Sequence, residues 1–279
     1  MKFASIRDRA SVIIADGQAL DLETASSGRF SPEPQAAFEQ WDEIRAWLEH
    51  ADYSLAQAFE ESDLGLPTPR PTQVFAIGMN YALHAAEGGY DVPTSPTIFT
   101  KFQSCLTGPN VTVDLPEDGR TDWEAELVVV MGKQARHVSS ADALSYVAGI
   151  TIGQDISERR TQKLGPAPQY SMAKSYENFG PVGPVVVSLD EVANPNSLEI
   201  GCSVNGVEMQ RSNTSNMVFP IAELISYISG IVNLYPGDII FTGTPEGVGV
   251  GRNPRIFLQP GDVLESFIEG IGTMKQDFR

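Results

Sequence analysis

The chain has 279 residues, of which 42% are hydrophobic and 20% charged, as is typical of a globular protein with a sizeable core. Its 36 acidic and 19 basic residues leave a formal net charge of −17 at pH 7, which argues against a nucleic-acid or anionic-membrane partner. The two cysteines provide no disulfide framework and fit a reducing cytoplasm. No apolar run approaches the ~18 residues of a membrane span, and residues 1–15 lack the apolar core of a signal peptide.

Residues 1–70 are predicted to form a separate small N-terminal α/β domain. Residues 3–14 alternate loosely between apolar and polar types, which indicates strands joined by a turn at residues 15–17. Residues 38–58 carry apolar side chains at near-helical spacing, which indicates one or two amphipathic helices. Three prolines make residues 63–72 the best candidate for a linker.

The remaining residues, 71–279, are predicted to form the second domain. It opens with a buried strand at residues 74–78, after which Asn80 is expected to cap a helix over residues 81–87 that ends at two glycines. Further strands are predicted at residues 96–102, 184–188, 198–204, 207–210, 239–242 and 263–268, and further helices at residues 141–147 and 221–231.

Three turns are predicted in the strand-rich part of the chain. Asn205-Gly206 is the strongest hairpin signal, because both residues tolerate the positive φ of a tight two-residue turn. The segments 236–238 and 260–262 both read Pro-Gly-Asp, which a type II turn prefers, and each is predicted to close a hairpin.

The helix over residues 81–87 carries His84 and Glu87, which lie three residues apart and share a face. A histidine oriented by a carboxylate can take a proton from water. The same spacing also fits an exposed ion pair on a surface helix, so the pattern alone leaves both interpretations open.

A run of apolar residues with carboxylates at its start, residues 121–130, has the composition of a buried strand. If the strand extends back to Glu124, its period of two places Glu124 and Glu126 on one face. Two buried carboxylates need a positive partner, for which a divalent cation is the simplest choice. A strand end with both glutamates in water is the alternative, and it is the ordinary state of a glutamate. Asp155 follows a predicted strand at residues 148–153 and fits either a ligand or a helix cap.

Three familiar motifs are excluded. A calcium loop starting at Asp114 would need Glu at its twelfth position, which is Ala125. The segment before Lys174 lacks the glycines of a phosphate-binding loop, so this lysine fits a solvated surface charge on its local sequence. The third glycine of a dinucleotide motif over residues 247–251 would fall on Arg252.

Five segments occur in the order found in the fumarylacetoacetate hydrolase family, and together they resemble it. They are Gly78-Met79-Asn80-Tyr81 with His84 and Glu87, Asp122-Trp123-Glu124-Ala125-Glu126-Leu127, Gln154-Asp155-Ile156-Ser157 with Arg159, Ala173-Lys174-Ser175-Tyr176, and residues 237–249. The resemblance covers residue 73 to the C-terminus. Family members usually have Gly before the lysine and Phe-Asp after the serine, where this chain has Ala173 and Tyr176-Glu177.

The resemblance implies an α+β, strand-rich fold: a mixed β-sandwich roll as the catalytic domain, preceded by the small N-terminal domain, in a homodimer. It implies a divalent metal, Mg²⁺ or Mn²⁺ with Ca²⁺ as a further option, held by Glu124, Glu126 and Asp155. It assigns catalysis to His84, Glu87 and Lys174, and substrate contacts to Arg159, Gln162 and Thr244.

The expected activity is metal-assisted hydrolysis of a carbon–carbon bond in an acylpyruvate or related diketo acid, a small anionic substrate. The same chemistry also serves oxaloacetate decarboxylases and 2-oxo acid isomerases or dehydratases of the family, which are the alternatives. A non-catalytic binder of a metal or dicarboxylate on the same scaffold is a further alternative.

Overall fold

The computed structural model describes residues 1–279 and is rich in strands. The strands are β1 (Lys2–Ile6), β2 (Arg9–Ala15), β3 (Gln18–Asp21), β4 (Gln57–Ala58), β5 (Leu64–Gly65), β6 (Val74–Gly78), β7 (Thr97–Thr100), β8 (Leu106–Thr107), β9 (Asn110–Val113), β10 (Thr121–Asp122), β11 (Ala125–Met131), β12 (Val147–Gln154), β13 (Ser157–Glu158), β14 (Gly180–Val187), β15 (Glu199–Val204), β16 (Val207–Asn213), β17 (Ile239–Phe241), β18 (Val263–Ile268) and β19 (Gly272–Phe278). The α-helices are α1 (Leu22–Ala25), α2 (Trp41–Leu48), α3 (Ala82–Glu87), α4 (Tyr170–Ala173) and α5 (Ile221–Ile231). Short 3₁₀ helices occupy Pro34–Gln40, Tyr53–Leu55, Glu61–Asp63, Gln103–Cys105, Ala143–Tyr146, Thr161–Lys163, Leu189–Glu191, Thr214–Asn216 and Gly249–Gly251.

The strands form two main sheets, neither of which closes on itself. The larger has 12 strands, and its main path runs β4-β3-β2-β1-β14-β12-β11-β17-β6-β7, with β5 beside β1 and β8 beside β14. The smaller has five strands in the order β16-β15-β18-β19-β9, and β10 pairs with β13 alone. The prediction of a strand-rich mixed fold is therefore confirmed. No helix has the length and apolar character that crossing a bilayer requires.

Strand β11 lies in the middle of the large sheet and is buried along its whole length. Its odd-numbered side chains, Leu127, Val129 and Met131, belong to a cluster of 28 buried residues that includes the apolar face of α5. Its even-numbered side chains, Val128 and Val130, belong to a second cluster of 20 buried residues. An apolar run without alternation follows from this arrangement, because both faces of the strand are covered.

The N-terminal segment continues the large sheet. Strand β1 pairs antiparallel with β14, and the predicted linker contributes β5, which pairs with β1. Phe38 and Trp41 pack in the same cluster as Val128 and Val130. The domain boundary at residue 70 stays a prediction, but the two segments share one sheet and one core.

Two turn predictions in the strands need correction. The first strands form two hairpins: Asp16-Gly17 joins β2 to β3, while Arg7-Asp8 joins β1 to β2. Arg7 and Asp8 have φ of 51° and 61° without any glycine, so composition did not reveal this turn. The turn at Gly237 leads from α5 into β17, whose partners are β11 and β6, so it closes no hairpin.

Other local predictions have mixed outcomes. The Asn205-Gly206 hairpin is confirmed as the turn between β15 and β16, and helix α5 lies where its spacing predicted. Residues 141–147 contain only a 3₁₀ helix, which starts at Ala143. Helix α3 has Tyr81 at its N-cap position and no side-chain cap, so the capping prediction for Asn80 is wrong. Asn80 is buried and instead donates to the carbonyl oxygens of Phe219 and Thr242.

Candidate metal centre and catalytic site

Three buried carboxylates meet at one edge of the large sheet. Strands β11 and β12 are antiparallel, with Ala125 opposite Gln154, so the start of β11 lies beside the end of β12. Glu124 and Glu126 flank the first residue of β11, and Asp155 follows the last residue of β12. One ligand atom from each of Glu124, Glu126 and Asp155 lies within 4.8 Å of the others. The expectation that the three carboxylates come together is met, and it depends on this strand register.

Lysine and arginine side chains partly neutralise this cluster. Lys174 Nζ lies 2.6 Å from Glu124 Oε2 and 2.5 Å from Asp155 Oδ2, and Arg159 Nη2 lies 2.6 Å from Glu124 Oε1. Lys174 is buried, so the solvated-charge alternative for this lysine is excluded. Burial by itself would lower the pKa of Lys174, but the carboxylates of Asp155 and Glu124 outweigh that effect and raise it, which keeps the ammonium charged.

Glu126 is the carboxylate without a cationic partner. It accepts a hydrogen bond of 2.6 Å from the backbone N–H of Gly243, and burial together with Asp155 and Glu124 raises its pKa well above the usual value. For Glu124, burial also acts to raise the pKa, but Lys174 and Arg159 prevail and lower it. The cluster therefore has a place for one more positive charge, and a hard divalent cation fits a set of three carboxylate oxygens.

Lys101 is a member of the site that the sequence analysis did not single out. It directly follows β7, its side chain is fully buried, and its Nζ lies 2.7 Å from Asp155 Oδ1. It also donates to the carbonyl oxygens of Lys174 and Phe179. The available signal was a lysine in a predicted strand, next to Phe102 and two residues from Phe99. If such a lysine is buried, its ammonium requires carboxylate and carbonyl partners.

Arg159 contacts three side chains of the protein. Its Nε donates to Asp122 Oδ1 at 2.7 Å, and its Nη1 donates to Gln162 Oε1 at 3.0 Å, in addition to the Glu124 contact. Asp122 in turn accepts from the backbone N–H of Val250 at 2.7 Å. Arg159 therefore holds the carboxylate of Glu124 in position. The substrate contacts expected of Arg159 and Gln162 stay predictions.

His84 and Glu87 contact each other on α3, with His84 Nδ1 3.2 Å from Glu87 Oε2. Both side chains are largely shielded, with 17% and 16% of their surface exposed, which separates them from an ordinary surface ion pair. The backbone N–H of Gly247 donates to Glu87 Oε1 at 3.0 Å. Glu87 is thus held by Gly247 as well as by His84, and the imidazole keeps Nε2 available for another partner.

A cavity of about 240 Å³ extends from the His84–Glu87 pair to Glu124 of the carboxylate cluster. His84, Glu87, Glu124 and Lys174 all contribute to its wall. Thr244 also lines it, with a hydroxyl that donates to the carbonyl oxygen of Ala125 and accepts from Gln210 Nε2. The remaining predicted substrate contacts, Arg159 and Gln162, line the same cavity.

Comparison with known proteins agrees with this geometry. The sequence profile of the fumarylacetoacetate (FAA) hydrolase C-terminal family matches residues 73–279. The chain belongs to this family. The match starts one residue before β6 and includes all the residues of the carboxylate cluster and the His84–Glu87 pair.

Two curated members of the fumarylacetoacetate hydrolase family are similar to the chain. The mitochondrial oxaloacetate tautomerase FAHD2A of Bos taurus is 46% identical over 75% of this chain and 67% of its own length. The 2,4-didehydro-3-deoxy-L-rhamnonate hydrolase of Sphingomonas sp. (strain SKA58) is also 46% identical, over 77% of this chain and 76% of its own length. The chain is therefore placed among the enzymes of this family.

Solved structures extend the similarity to the N-terminal segment. A Mycobacterium smegmatis protein assigned as HpcE superposes with a TM-score of 0.94 at 47% identity, over 100% of this chain and 99% of the other. The maleylpyruvate hydrolase of Sphingobium sp. SYK-6, in complex with manganese(II) and pyruvate, superposes with a TM-score of 0.79 at 26% identity, over 100% and 98%.

Proposed function

We propose that the protein is a divalent-metal-dependent hydrolase that cleaves a carbon–carbon bond in an acylpyruvate or related diketo acid. The observation that carries this proposal is the shared cavity: Glu124, which lies within 4.8 Å of Glu126 and Asp155 in the carboxylate cluster, lines the same space as the His84–Glu87 pair. The carboxylate cluster suits a hard metal ion, and the His84–Glu87 pair suits the activation of a water molecule. The Sphingobium structure, which pairs manganese with pyruvate on a similar fold, supports the same proposal.

The metal would be held by Glu124, Glu126 and Asp155, with Mg²⁺ or Mn²⁺ as the expected ion and Ca²⁺ as a further option. When bound, it supplies a Lewis acid that the carboxylate and keto oxygen of a 2-oxo acid can chelate. Lys174 and Arg159 contact Glu124, and Lys101 and Lys174 contact Asp155, so Glu126 is the one carboxylate of the three whose charge no side chain neutralises.

His84 is proposed to be the general base. Glu87 accepts from Nδ1, which fixes the tautomer that leaves Nε2 free to take a proton from water. The activated water then attacks the carbonyl carbon remote from the carboxylate, and the carbon–carbon bond breaks with a pyruvate-type enolate as the leaving group. Glu87, held by Gly247, stabilises the imidazolium that forms.

Lys174 is proposed to stabilise the enolate. An ammonium has three N–H donors, and two of them point at Glu124 and Asp155. The third remains for an oxygen on which negative charge develops, and such a contact lowers the barrier because it strengthens as the bond breaks.

The first prediction tests this proposal with purified protein and a panel of acylpyruvates, fumarylpyruvate and fumarylacetoacetate. We expect turnover that EDTA abolishes and that Mg²⁺ or Mn²⁺ restores. His84→Ala should lower kcat for hydrolysis by about 10²- to 10⁴-fold, because no other group in the cavity replaces the base. The matched control is His50→Ala, an exposed histidine outside the cavity, which should leave kcat unchanged.

Metal-driven decarboxylation of oxaloacetate needs no positioned water, so it should survive His84→Ala. Equal survival of hydrolysis and decarboxylation in that variant would contradict the proposed water activation. Binding of diketo acids without turnover of any of them would instead favour a non-catalytic binder.

A second candidate function is the tautomerisation, isomerisation or decarboxylation of oxaloacetate or another 2-oxo acid. The observation in its favour is the 46% identity to the bovine oxaloacetate tautomerase. The same cavity would serve, since each of these reactions passes through an enolate. The ketonisation of enol-oxaloacetate can be monitored by its ultraviolet absorbance. A rate of ketonisation above the rate of diketo acid hydrolysis would favour this second candidate. The homodimer and the cytoplasmic location stay predictions.

A further inference from the structure

The backbone at the start of β11 needs partners that no neighbouring strand supplies. Strand β12 pairs with one edge of β11 from Ala125 onward, but β17 pairs with the other edge only from Val128 to Val130. The carbonyl oxygen of Glu124 accepts from the N–H of Asp155 at 3.0 Å on the β12 side, so the backbone groups of Ala125 point to the opposite edge. Both residues are buried, and a buried N–H or C=O without a partner is costly.

Gln210 and Thr244 bind the backbone of Ala125 in a closed ring of three hydrogen bonds. The N–H of Ala125 donates to Gln210 Oε1 at 2.9 Å, Gln210 Nε2 donates to the Thr244 hydroxyl at 2.8 Å, and that hydroxyl donates to the carbonyl oxygen of Ala125 at 2.9 Å. Gln210 Nε2 also donates to the carbonyl oxygen of Pro245 at 2.7 Å. The opposite orientation of the amide would place its NH₂ group against the N–H of Ala125, so the ring allows one arrangement only.

Gln154 binds the preceding peptide in a similar way. Its Oε1 accepts from the N–H of Glu124 at 2.9 Å, and its Nε2 donates to Ser266 Oγ at 2.8 Å. Gln154 and Gln210 are both buried. Two consecutive backbone N–H groups, those of Glu124 and Ala125, are therefore held by glutamine side chains.

Both glutamines connect the start of β11 to the smaller sheet. Gln210 is the one buried residue of β16, and Ser266, the partner of Gln154, lies on β18. The side chain of Ala125 packs in a third buried cluster with residues of β15 and β18. The smaller sheet thus supports the residue that separates the two glutamates of the carboxylate cluster.

The orientation of these two peptides decides where the carboxylates of Glu124 and Glu126 lie. Glu126 depends on it most, because the backbone N–H of Gly243 is its hydrogen-bond donor and it has no cationic partner. Ligands that are already in position need no ordering when an ion binds. Groups that orient metal ligands typically change the metal affinity by about 10- to 100-fold.

We propose that Gln154 and Gln210 are positioning residues of the metal site: they fix the peptides of Glu124 and Ala125 so that Glu124 and Glu126 present their carboxylates to one ion. The inference rests on the proposed function, because it takes these carboxylates to be metal ligands. It adds two residues that do not line the cavity, and it gives the smaller sheet a part in metal binding.

The second prediction concerns the affinity for Mn²⁺, measured by titration with electron paramagnetic resonance detection of the free ion. Gln210→Leu should weaken Mn²⁺ binding about tenfold or more, and Gln154→Leu should act in the same direction. The matched control is Gln276→Leu, at a buried glutamine on β19 of the smaller sheet whose amide donates to the carbonyl oxygen of Pro109. This control should retain the wild-type affinity even if urea denaturation shows a loss of stability.

Thr244→Val opens the same ring without changing the size of the side chain. It should also weaken Mn²⁺ binding, whereas Thr244→Ser, which keeps the hydroxyl, should bind Mn²⁺ as wild-type protein does. In the double variant Gln210→Leu, Thr244→Val the two losses should not add, because either substitution alone opens the ring. If Gln210→Leu does not fold, the Thr244 variants decide the test.

Wild-type Mn²⁺ affinity in folded Gln210→Leu or in Thr244→Val would overturn this inference, and so would an equal loss of affinity in Gln276→Leu. The proposed hydrolysis would stand in each of these cases, because wild-type protein would still bind the ion. If wild-type protein binds no Mn²⁺, the proposed function fails and the inference fails with it.

Discussion

At the scale of single residues, Lys101 shows how much the carboxylate cluster depends on buried cations. Its ammonium has no exposed surface, and it contacts Asp155 as well as two backbone carbonyl oxygens. Removing one member of a buried pair leaves the other charge without compensation, which costs far more than losing a surface pair.

The third prediction is that Lys101→Met lowers the free energy of unfolding by about 3 kcal/mol, because the carbonyl oxygens lose their donor and Asp155 keeps only Lys174. Urea denaturation followed by circular dichroism measures this change. The matched control is Lys133→Met, whose Nζ lies 2.8 Å from Asp42 on the surface and which should cost less than about 1 kcal/mol. Equal losses in the two variants would contradict the structural importance assigned to Lys101.

At the scale of elements, the proposed catalytic pair His84–Glu87 depends on the contact between α3 and the 3₁₀ helix Gly249–Gly251. A Cβ added at Gly251 would lie 2.3 Å from Glu87 Cδ, so only glycine allows the carboxylate to occupy its position. The glutamate side chain can move away from such a clash, but it would then leave His84. The contact between Gly251 and Glu87 thus maintains the geometry of the His84–Glu87 pair and contributes less to the stability of the fold.

The fourth prediction is that Gly251→Ala lowers kcat for hydrolysis at least about tenfold, with little change in melting temperature, because the displaced Glu87 no longer orients His84. Steady-state kinetics and a thermal melt measure the two effects. Gly230→Ala is the control: it lies in α5, an added Cβ meets no atom within 4 Å, and a small gain in stability is expected. Unchanged kcat in Gly251→Ala would argue against the orienting contact.

At the scale of the whole molecule, the N-terminal segment covers one face of the sheet that carries the site. Phe3, Phe38 and Trp41 pack in the cluster that contains Val128 and Val130 of β11. The aromatic rings of Phe38 and Trp41 stack with centroids 5.3 Å apart. A chain without this segment would expose the even-numbered face of the central strand to water.

The fifth prediction is that residues 71–279 expressed alone are insoluble or melt at least about 10 °C lower than the full chain, because a continuous apolar face loses its cover. Solubility after expression and differential scanning calorimetry provide the measurement. A soluble fragment with the melting temperature and activity of the full chain would instead support an independent second domain, as the boundary at residue 70 predicts.

The amino-acid sequence by itself determined features that depend on neighbours along the chain. The apolar run of β11, the Asn205-Gly206 hairpin and the shared helical face of His84 and Glu87 follow from residue type and spacing, because their partners lie within a few residues. Asn80 shows the limit of such reasoning. Its position predicted a helix cap, but its side-chain amide donates instead to the carbonyl oxygens of Phe219 and Thr242, which are distant in sequence.

Only the tertiary structure decided which groups surround the cavity. Asp155 meets Glu124 because the antiparallel register places Gln154 opposite Ala125, and Lys101 reaches Asp155 across 54 positions of sequence. His84 and Arg159 line one cavity from separate segments of the chain. No local pattern encodes these distances, because long-range strand pairing and the desolvation of buried charges act between residues that are far apart in the chain.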